Sequence, residues 1–344
     1  MEKYSFKNDY SSLIHPTVLR ALTESATKQF DGYGLDVHSL YATHLIRKKI
    51  QKEDVDIHFV SGGTQANLIV LSSLLRSYEA VISCSSGHIA THETGAIEST
   101  GHKVCTVDST DGKITVSQIK SVVENHTDEH MVKPKVVFIS QSTELGTIYS
   151  KKELKDIKDY CSKQELYIYM DGARIAAAVN SRESDLSYAD IAGLVDVFYL
   201  GGTKNGALFG EAIVICNDNL KDNFRYSLKQ KGGMLAKGAA IGIQFEALLT
   251  DNVYDQNALH ANAMAYRLAD GITAIGYKLL NKVETNQIFP IFPKEIVKKL
   301  YLNYDFHEWA DLKGSVAIRL VTSFDTPIEA VDGFITYLKA LNTI

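Results

Sequence analysis

The chain has 344 residues, 45% hydrophobic and 22% charged, an ordinary globular balance with room for one large domain and a smaller one. Its net charge of −5 argues against a nucleic-acid or anionic-membrane surface, and no apolar run is long enough to span a bilayer. The four cysteines (Cys84, Cys105, Cys161 and Cys216) form no C-x-x-C pair, and the polar start MEKYSFKNDYSS lacks a signal peptide's apolar core, so a reducing cytoplasm is expected.

A first helix is expected from His15 to about Gln29, with Pro16 in its first turn. A glycine-rich loop, DGYGLDVHS, precedes a second helix over 39–50. An alternation then begins. Strands are predicted at 56–60, 80–84, 103–107, 134–140, 166–171, 196–200 and 211–215, with helices at 64–77, 88–100, 115–126 and 150–164. Continuous Val/Ile/Phe strands between amphipathic helices predict an α/β fold with a mostly parallel sheet flanked by helices. The last two strands are too close for a helical crossover, which makes them an antiparallel pair or partners of other strands. From about Asp251 the texture changes to a long helix (254–275), short strands and a last helix (326–341), a smaller C-terminal α+β domain. The expected division is an N-terminal segment (1–30), a large domain (31–250) and a small one (251–344).

Ligands of such sheets bind at the carboxyl ends of the strands. Gly62-Gly63-Thr64 follows the first strand, His88 the second, Gln141-Ser142-Thr143-Glu144 the fourth, Asp171 with Arg174 the fifth, and Thr203-Lys204 the sixth. Lys204 stands in YLGGTKNGALFGEAIV, where every neighbour is glycine, apolar or short. An amine in a dry pocket is kept partly unprotonated, the state in which it attacks a carbonyl. This set fits pyridoxal 5'-phosphate (PLP): a lysine for its aldehyde, Asp171 for its ring nitrogen, His88 for its ring face, and a Gly-Gly-Thr helix start for its phosphate. Arg174 and Arg319 suit a substrate carboxylate. Each residue has a plainer reading when taken singly. Asp171 is a reasonable helix cap, His88 a core or capping histidine, the Gly-Gly pair a simple turn, and Lys204 and Arg319 snorkelling side chains. The joint pattern decides between the two readings.

In the order SGGT-x-AN, GHI, MDGAR, GGTKNGALFGEA and IRLVTSFDT, the chain resembles the PLP-dependent fold-type I enzymes of the threonine aldolase (β-eliminating lyase) family, over nearly its whole length. QSTELGTIYS resembles a low-specificity subgroup. The resemblance implies that Lys204 is the Schiff-base lysine, with Thr203 beside it, that Asp171 pairs with the pyridine nitrogen and that His88 stacks on the ring. Gly63 and Thr64 hold the phosphate, with Gly62 beside them. Arg174 and Arg319 bind the substrate carboxylate. His130 matches loosely a second histidine near the substrate hydroxyl. Tyr33 in GYGLD is implied to reach a neighbouring subunit's site, in a homo-oligomer (dimer or tetramer) with active sites between subunits. Lys229 and Lys231 add charge there or are simply solvated.

Three departures stand out. Asn8, in FKNDYSS, occupies the place of a substrate-binding serine, Gly62 stands where many members have serine, and His92 stands where members of the subgroup have another polar residue. The implied activity is cleavage of β-hydroxy-α-amino acids, threonine or allo-threonine, to glycine and an aldehyde. His88, His130 or an ordered water is the implied base. Alternatives are another PLP reaction such as β-elimination, racemisation or transamination, or a metal hydrolase in which His88 and His92 of HIATHE, one helical turn apart, bind zinc.

Overall fold

The computed structural model describes residues 3–342. Seven strands form one sheet: β1 (Asp56–Val60), β2 (Glu79–Cys84), β3 (Lys103–Val107), β4 (Lys133–Ser140), β5 (Tyr167–Asp171), β6 (Val197–Gly201) and β7 (Glu211–Ile215). They lie in the order β1-β7-β6-β5-β4-β2-β3. Neighbours are parallel except at β7, which is antiparallel to both β6 and β1. Gly201 lies opposite Glu211, so the expected antiparallel pair is present.

Alternation along the strands divides their side chains between two cores. Val137 and Ile139, Ile168 and Met170, and Phe198 and Leu200 enter one cluster. Val136 and Phe138, Tyr169, and Val197 and Tyr199 enter the other. Both sheet faces are therefore covered, which is why these strands read as unbroken apolar runs. Burial of each such side chain stabilises by roughly 1.5–3 kcal/mol relative to exposure.

The flanking helices are α1 (Pro16–Ser25), α2 (Val37–Ile50), α3 (Gly63–Leu74), α4 (His88–Thr91), α5 (Val116–Asn125) and α6 (Lys151–Lys163). Capping boxes, Thr115 with Gln118 and Ser150 with Glu153, start α5 and α6. Two expectations fail in length. The first helix stops at Ser25, not Gln29. The helix expected over 88–100 is a single turn, because Thr94 (φ 52°) and Gly95 (φ 70°) leave the right-handed region. Among the described residues, five helices are not marked by the sequence patterning: Ile175–Val179, Tyr188–Leu194, Phe224–Gln230, Lys294–Leu300 and, the longest, α7 (Ala239–Leu249), which is buried on nearly every side and so shows no polar face. Its Gly242 lets α2 approach; a Cβ there would stand 2.4 Å from Ser39 Oγ.

The long α8 (Val253–Ala274) leaves the first core through Tyr254 and Ala258 and enters a third through Ala265, Leu268 and Ile272. That third core lies on an antiparallel sheet of β8 (Lys278–Leu279), β9 (Gln287–Ile288), β10 (Pro290–Pro293), β11 (His307–Leu312) and the central β12 (Ser315–Val321), closed by α9 (Ile328–Asn342). The start of the chain is sewn onto this region. Tyr4–Ser5 pairs with Tyr304–Asp305, and Phe6 packs edge-on against Phe334 at 5.7 Å. Residues 7–10 thereby pass over the carboxyl edge of the large sheet.

Candidate active site

The residues following β1, β2, β4, β5 and β6 gather around one cavity of about 310 Å³, lined by Gly62, Gly63, Thr64, His88, Glu144, Asp171, Arg174, Thr203 and Lys204. Since β7 runs the opposite way, its first residue, Glu211, faces the same edge.

Lys204 sits on the single turn Thr203–Asn205 between β6 and β7, which Gly206 closes at φ 101°. Only glycine adopts that φ freely, and a Cβ there would stand 2.7 Å from Asn257 Nδ2. Burial, then the nearby Arg174 charge, push the Lys204 amine below the ordinary lysine range. The ammonium lies 6.0 Å from the centre of the Tyr10 ring.

Asp171, the last residue of β5, is held from three sides. Tyr199 donates its hydroxyl and Ala173 its N–H (3.0 Å) to Oδ1, while Asn67 Nδ2 donates to Oδ2 (3.2 Å). Asn67 also donates to Glu93 Oε1 (2.7 Å), and that oxygen meets His88 Nδ1 at 2.7 Å. One chain of hydrogen bonds thus links the lysine-facing carboxylate to the histidine. Burial would lower the His88 pKa, but Glu93 and Asp171 outweigh it and raise the value. Sequence patterning assigns Glu93 no role of its own. Its structural signal is a wholly buried carboxylate beside a half-buried ring.

Gly62 and Gly63 open α3, with Gly62 fully extended (φ −179°) and Gly63 close to the Tyr199 hydroxyl, 3.0 Å from where a Cβ would stand. Thr203 Oγ1 accepts from Gly210 N (3.0 Å), and Glu211 accepts from Gly202 N (2.8 Å). Burial lifts the Glu211 carboxyl to about 7.

Arg174 borders the cavity but is not a free clamp. Its Nε and Nη2 donate to Asp9 Oδ2 (2.6 Å) and Oδ1 (3.0 Å). Asp9 is the residue beside the singled-out Asn8, and a charged residue in a polar N-terminal segment gave no hint of burial. Asn8 itself accepts from Tyr10 N and Ser11 Oγ, which shapes the turn. Arg319 borders an adjoining cavity with Trp309, His92 and His307. Its guanidinium lies 5.6 Å from the Trp309 ring centre, and its buried Nε has no hydrogen-bond partner.

Two expected residues, His130 and Tyr33, lie outside both cavities in one chain. His130 is 86% exposed, beside Asp128 on the loop before β4. The loop precedes the strand, at the edge opposite the site. Tyr33 (φ 64°) lies on an exposed loop with Lys229 Nζ 4.7 Å from its ring centre, outside this cavity in one chain. His88 and His92 have ring centres 5.5 Å apart, but α4 ends between them and Glu93 is committed to His88 and Asn67. Among the described residues no group of three or more His, Cys, Asp or Glu side chains is disposed to hold a metal ion.

A mostly parallel, doubly covered sheet with a desolvated lysine and a braced aspartate at its carboxyl edge defines a fold-type I PLP enzyme. An aspartate aminotransferase of Thermus thermophilus shares the fold, with a TM-score of 0.73 at 12% identity over 99% of this chain and 92% of that one. More particularly, the chain belongs to the Beta-eliminating lyase family, whose model matches residues 12–294. It is 33% identical to the low specificity L-threonine aldolase of Pseudomonas aeruginosa, over 95% of this chain and 94% of that protein. The same-named enzyme of a Pseudomonas sp. is 34% identical, over 94% of each. The solved structure of a Leishmania major threonine aldolase is similar, with a TM-score of 0.97 and 46% identity over 98% of this chain and 99% of that one.

Proposed function

We propose that the protein cleaves β-hydroxy-α-amino acids, L-threonine or L-allo-threonine, to glycine and acetaldehyde with PLP. One observation carries the reading: the Lys204 amine and the Asp171 carboxylate share a cavity with His88 and Arg174. The residues present fit the cofactor. Lys204 offers a desolvated amine. Asp171 offers a carboxyl group fixed by three donors. The start of the 12-residue α3, bare of Cβ atoms at Gly62 and Gly63, offers backbone N–H groups and the Thr64 hydroxyl to a phosphate, with Thr203 alongside. When bound, PLP supplies an aldehyde for amines and a cationic ring that stores an electron pair.

The protein's own share is orientation. His88, its Nδ1 tied to Glu93, presents a flat ring. Arg319, with the Nη1 edge of Arg174 that Asp9 leaves free, holds the amino-acid carboxylate, so that the Cα–Cβ bond is directed rather than free to rotate. We extend the proposal to a homo-oligomer. Leu13, Leu19, Tyr33, Leu35, Val37, Leu40 and Tyr41 are exposed within the first 41 residues, apolar surface that a second copy would cover, with Tyr33 brought to a neighbouring site. Among the described residues no helix is long and apolar enough to cross a membrane, and the four cysteines are buried and unpaired, which supports a cytoplasmic location. The proposed units remain 1–30, 31–250 and 251–344.

The test is an assay of glycine and acetaldehyde formed from L-threonine and L-allo-threonine with PLP present. Cleavage of either supports the reading, and no turnover of any β-hydroxy-α-amino acid overturns it.

A further inference from the structure

We propose that Glu144 takes the β-hydroxyl proton of the substrate. The proposal rests on the aldolase reading and gives the role of base to Glu144 in place of His88, His130 or an ordered water.

Two cavities meet at the sheet edge. The inner one, of about 310 Å³, contains Lys204, Asp171 and the Gly62-Gly63-Thr64 turn. The outer one, of about 440 Å³, is bounded by Arg319, Trp309 and His92. A substrate whose amine lies toward Lys204 and whose carboxylate lies toward Arg319 has its Cα–Cβ bond near the junction. Five residues border both cavities: Tyr10, His88, Glu144, Arg174 and Lys204. Arg174 is a guanidinium and Lys204 the amine meant for the cofactor. The imidazole of His88 is tied through Nδ1 to Glu93. Glu144 is the carboxylate of the five.

Glu144 is also oriented. The His88 backbone N–H (3.0 Å) and the Ser140 hydroxyl (2.9 Å) both donate to its Oε1, which leaves Oε2 outside those two bonds. Burial, then the Asp171 charge, raise its proton affinity above that of an ordinary glutamate, as suits a base working near neutral pH.

The step balances. The β-hydroxyl proton passes to Glu144, and the O–H electron pair becomes the second bond of the aldehyde carbonyl. The Cα–Cβ bond breaks and leaves its pair on Cα, where one proton then completes glycine.

The test compares wild type with Glu144→Gln, which keeps an acceptor for Ser140 and His88, and with Glu144→Asp. In the PLP-loaded proteins, L-threonine cleavage and its pH profile are measured together with glycine affinity by calorimetry, since glycine has no β-hydroxyl. We expect E144Q to lose about 100-fold or more in kcat and to lose the acidic limb of the profile, with glycine affinity within about 3-fold of wild type, and E144D to recover part of the rate. E144Q cleaving within about 3-fold of wild type overturns the proposal, as does a loss of glycine affinity as large as the loss of rate. A wild-type protein that cleaves no β-hydroxy-α-amino acid overturns the aldolase reading itself, and this proposal with it.

Discussion

Asp9 and Arg174 are 165 positions apart and meet in a two-pronged ion pair, Nε to Oδ2 at 2.6 Å and Nη2 to Oδ1 at 3.0 Å. Asn286 Nδ2 adds a third donor to Oδ2 at 3.0 Å. The pair joins the N-terminal segment, the end of β5 and the second sheet at the edge of the site. It also fixes which face of the guanidinium remains for a ligand.

Replacement of Asp9 by asparagine leaves a buried guanidinium without its counter-charge, so a loss of about 3 kcal/mol or more of unfolding free energy is expected in urea titrations. The sign with pH follows. Burial works against ionisation of Asp9, but Arg174 and Lys204 outweigh it and hold the carboxyl below its usual range. Its stabilisation is therefore complete above the unfolded value of about 3.9 and lost as pH falls through the lower folded value. D9N should flatten that acid limb of the stability curve.

The Lys204 amine is held below the ordinary value of about 10.4 by burial and then by Arg174. The rate at which apoprotein captures PLP should therefore rise with pH through a midpoint below that value. Arg174→Met removes a cation and leaves Asp9 unpaired, and both changes move the midpoint upward. Lys204→Ala should yield no PLP-labelled peptide after borohydride reduction; labelling of another lysine at the wild-type level would refute the role given to Lys204.

Glu93 keeps His88 protonated to higher pH than burial alone would allow. Glu93→Gln should lower the His88 pKa, read from imidazole proton shifts by NMR. The pair's contribution to stability is complete below the unfolded histidine value of about 6.5 and fades as pH rises through the higher folded value, and this dependence should shrink in E93Q, where Asp171 alone opposes burial. An unchanged His88 titration would show that Glu93 does not govern the ring.

Gly62→Ser probes the departure at the phosphate turn. The position is extended, and a Cβ there meets nothing within 4 Å, so serine fits without strain. One added hydrogen bond to a charged phosphate contributes about 1.5 kcal/mol, which predicts roughly tenfold tighter PLP binding by equilibrium dialysis. Unfolding of the apoprotein should change little. Weaker binding would place the phosphate elsewhere.

Much of the site was legible because a parallel sheet presents its ligands at strand carboxyl ends, and strands buried on both faces are plain in sequence. Lys204, Asp171, His88 and the Gly62-Gly63-Thr64 turn each follow such a strand, and the structure brings them to one cavity. Glu211 was not found that way, because it begins an antiparallel strand rather than ending a parallel one. The helix α7 was missed because burial on nearly every side erases the periodicity that marks a helix.

Local patterning by itself determined the α/β class, the order of the strands along the chain and the residue types available at their ends. Those features depend on neighbours three or four positions away. Only the tertiary structure decided that Asp9 occupies Arg174, that Glu93 steers His88, that Glu144 stands where the two cavities meet, and that Phe6 ties the start of the chain into the C-terminal core. These are contacts between polar or terminal residues far apart in sequence. Their burial comes from packing at the sheet edge, and no local periodicity encodes it.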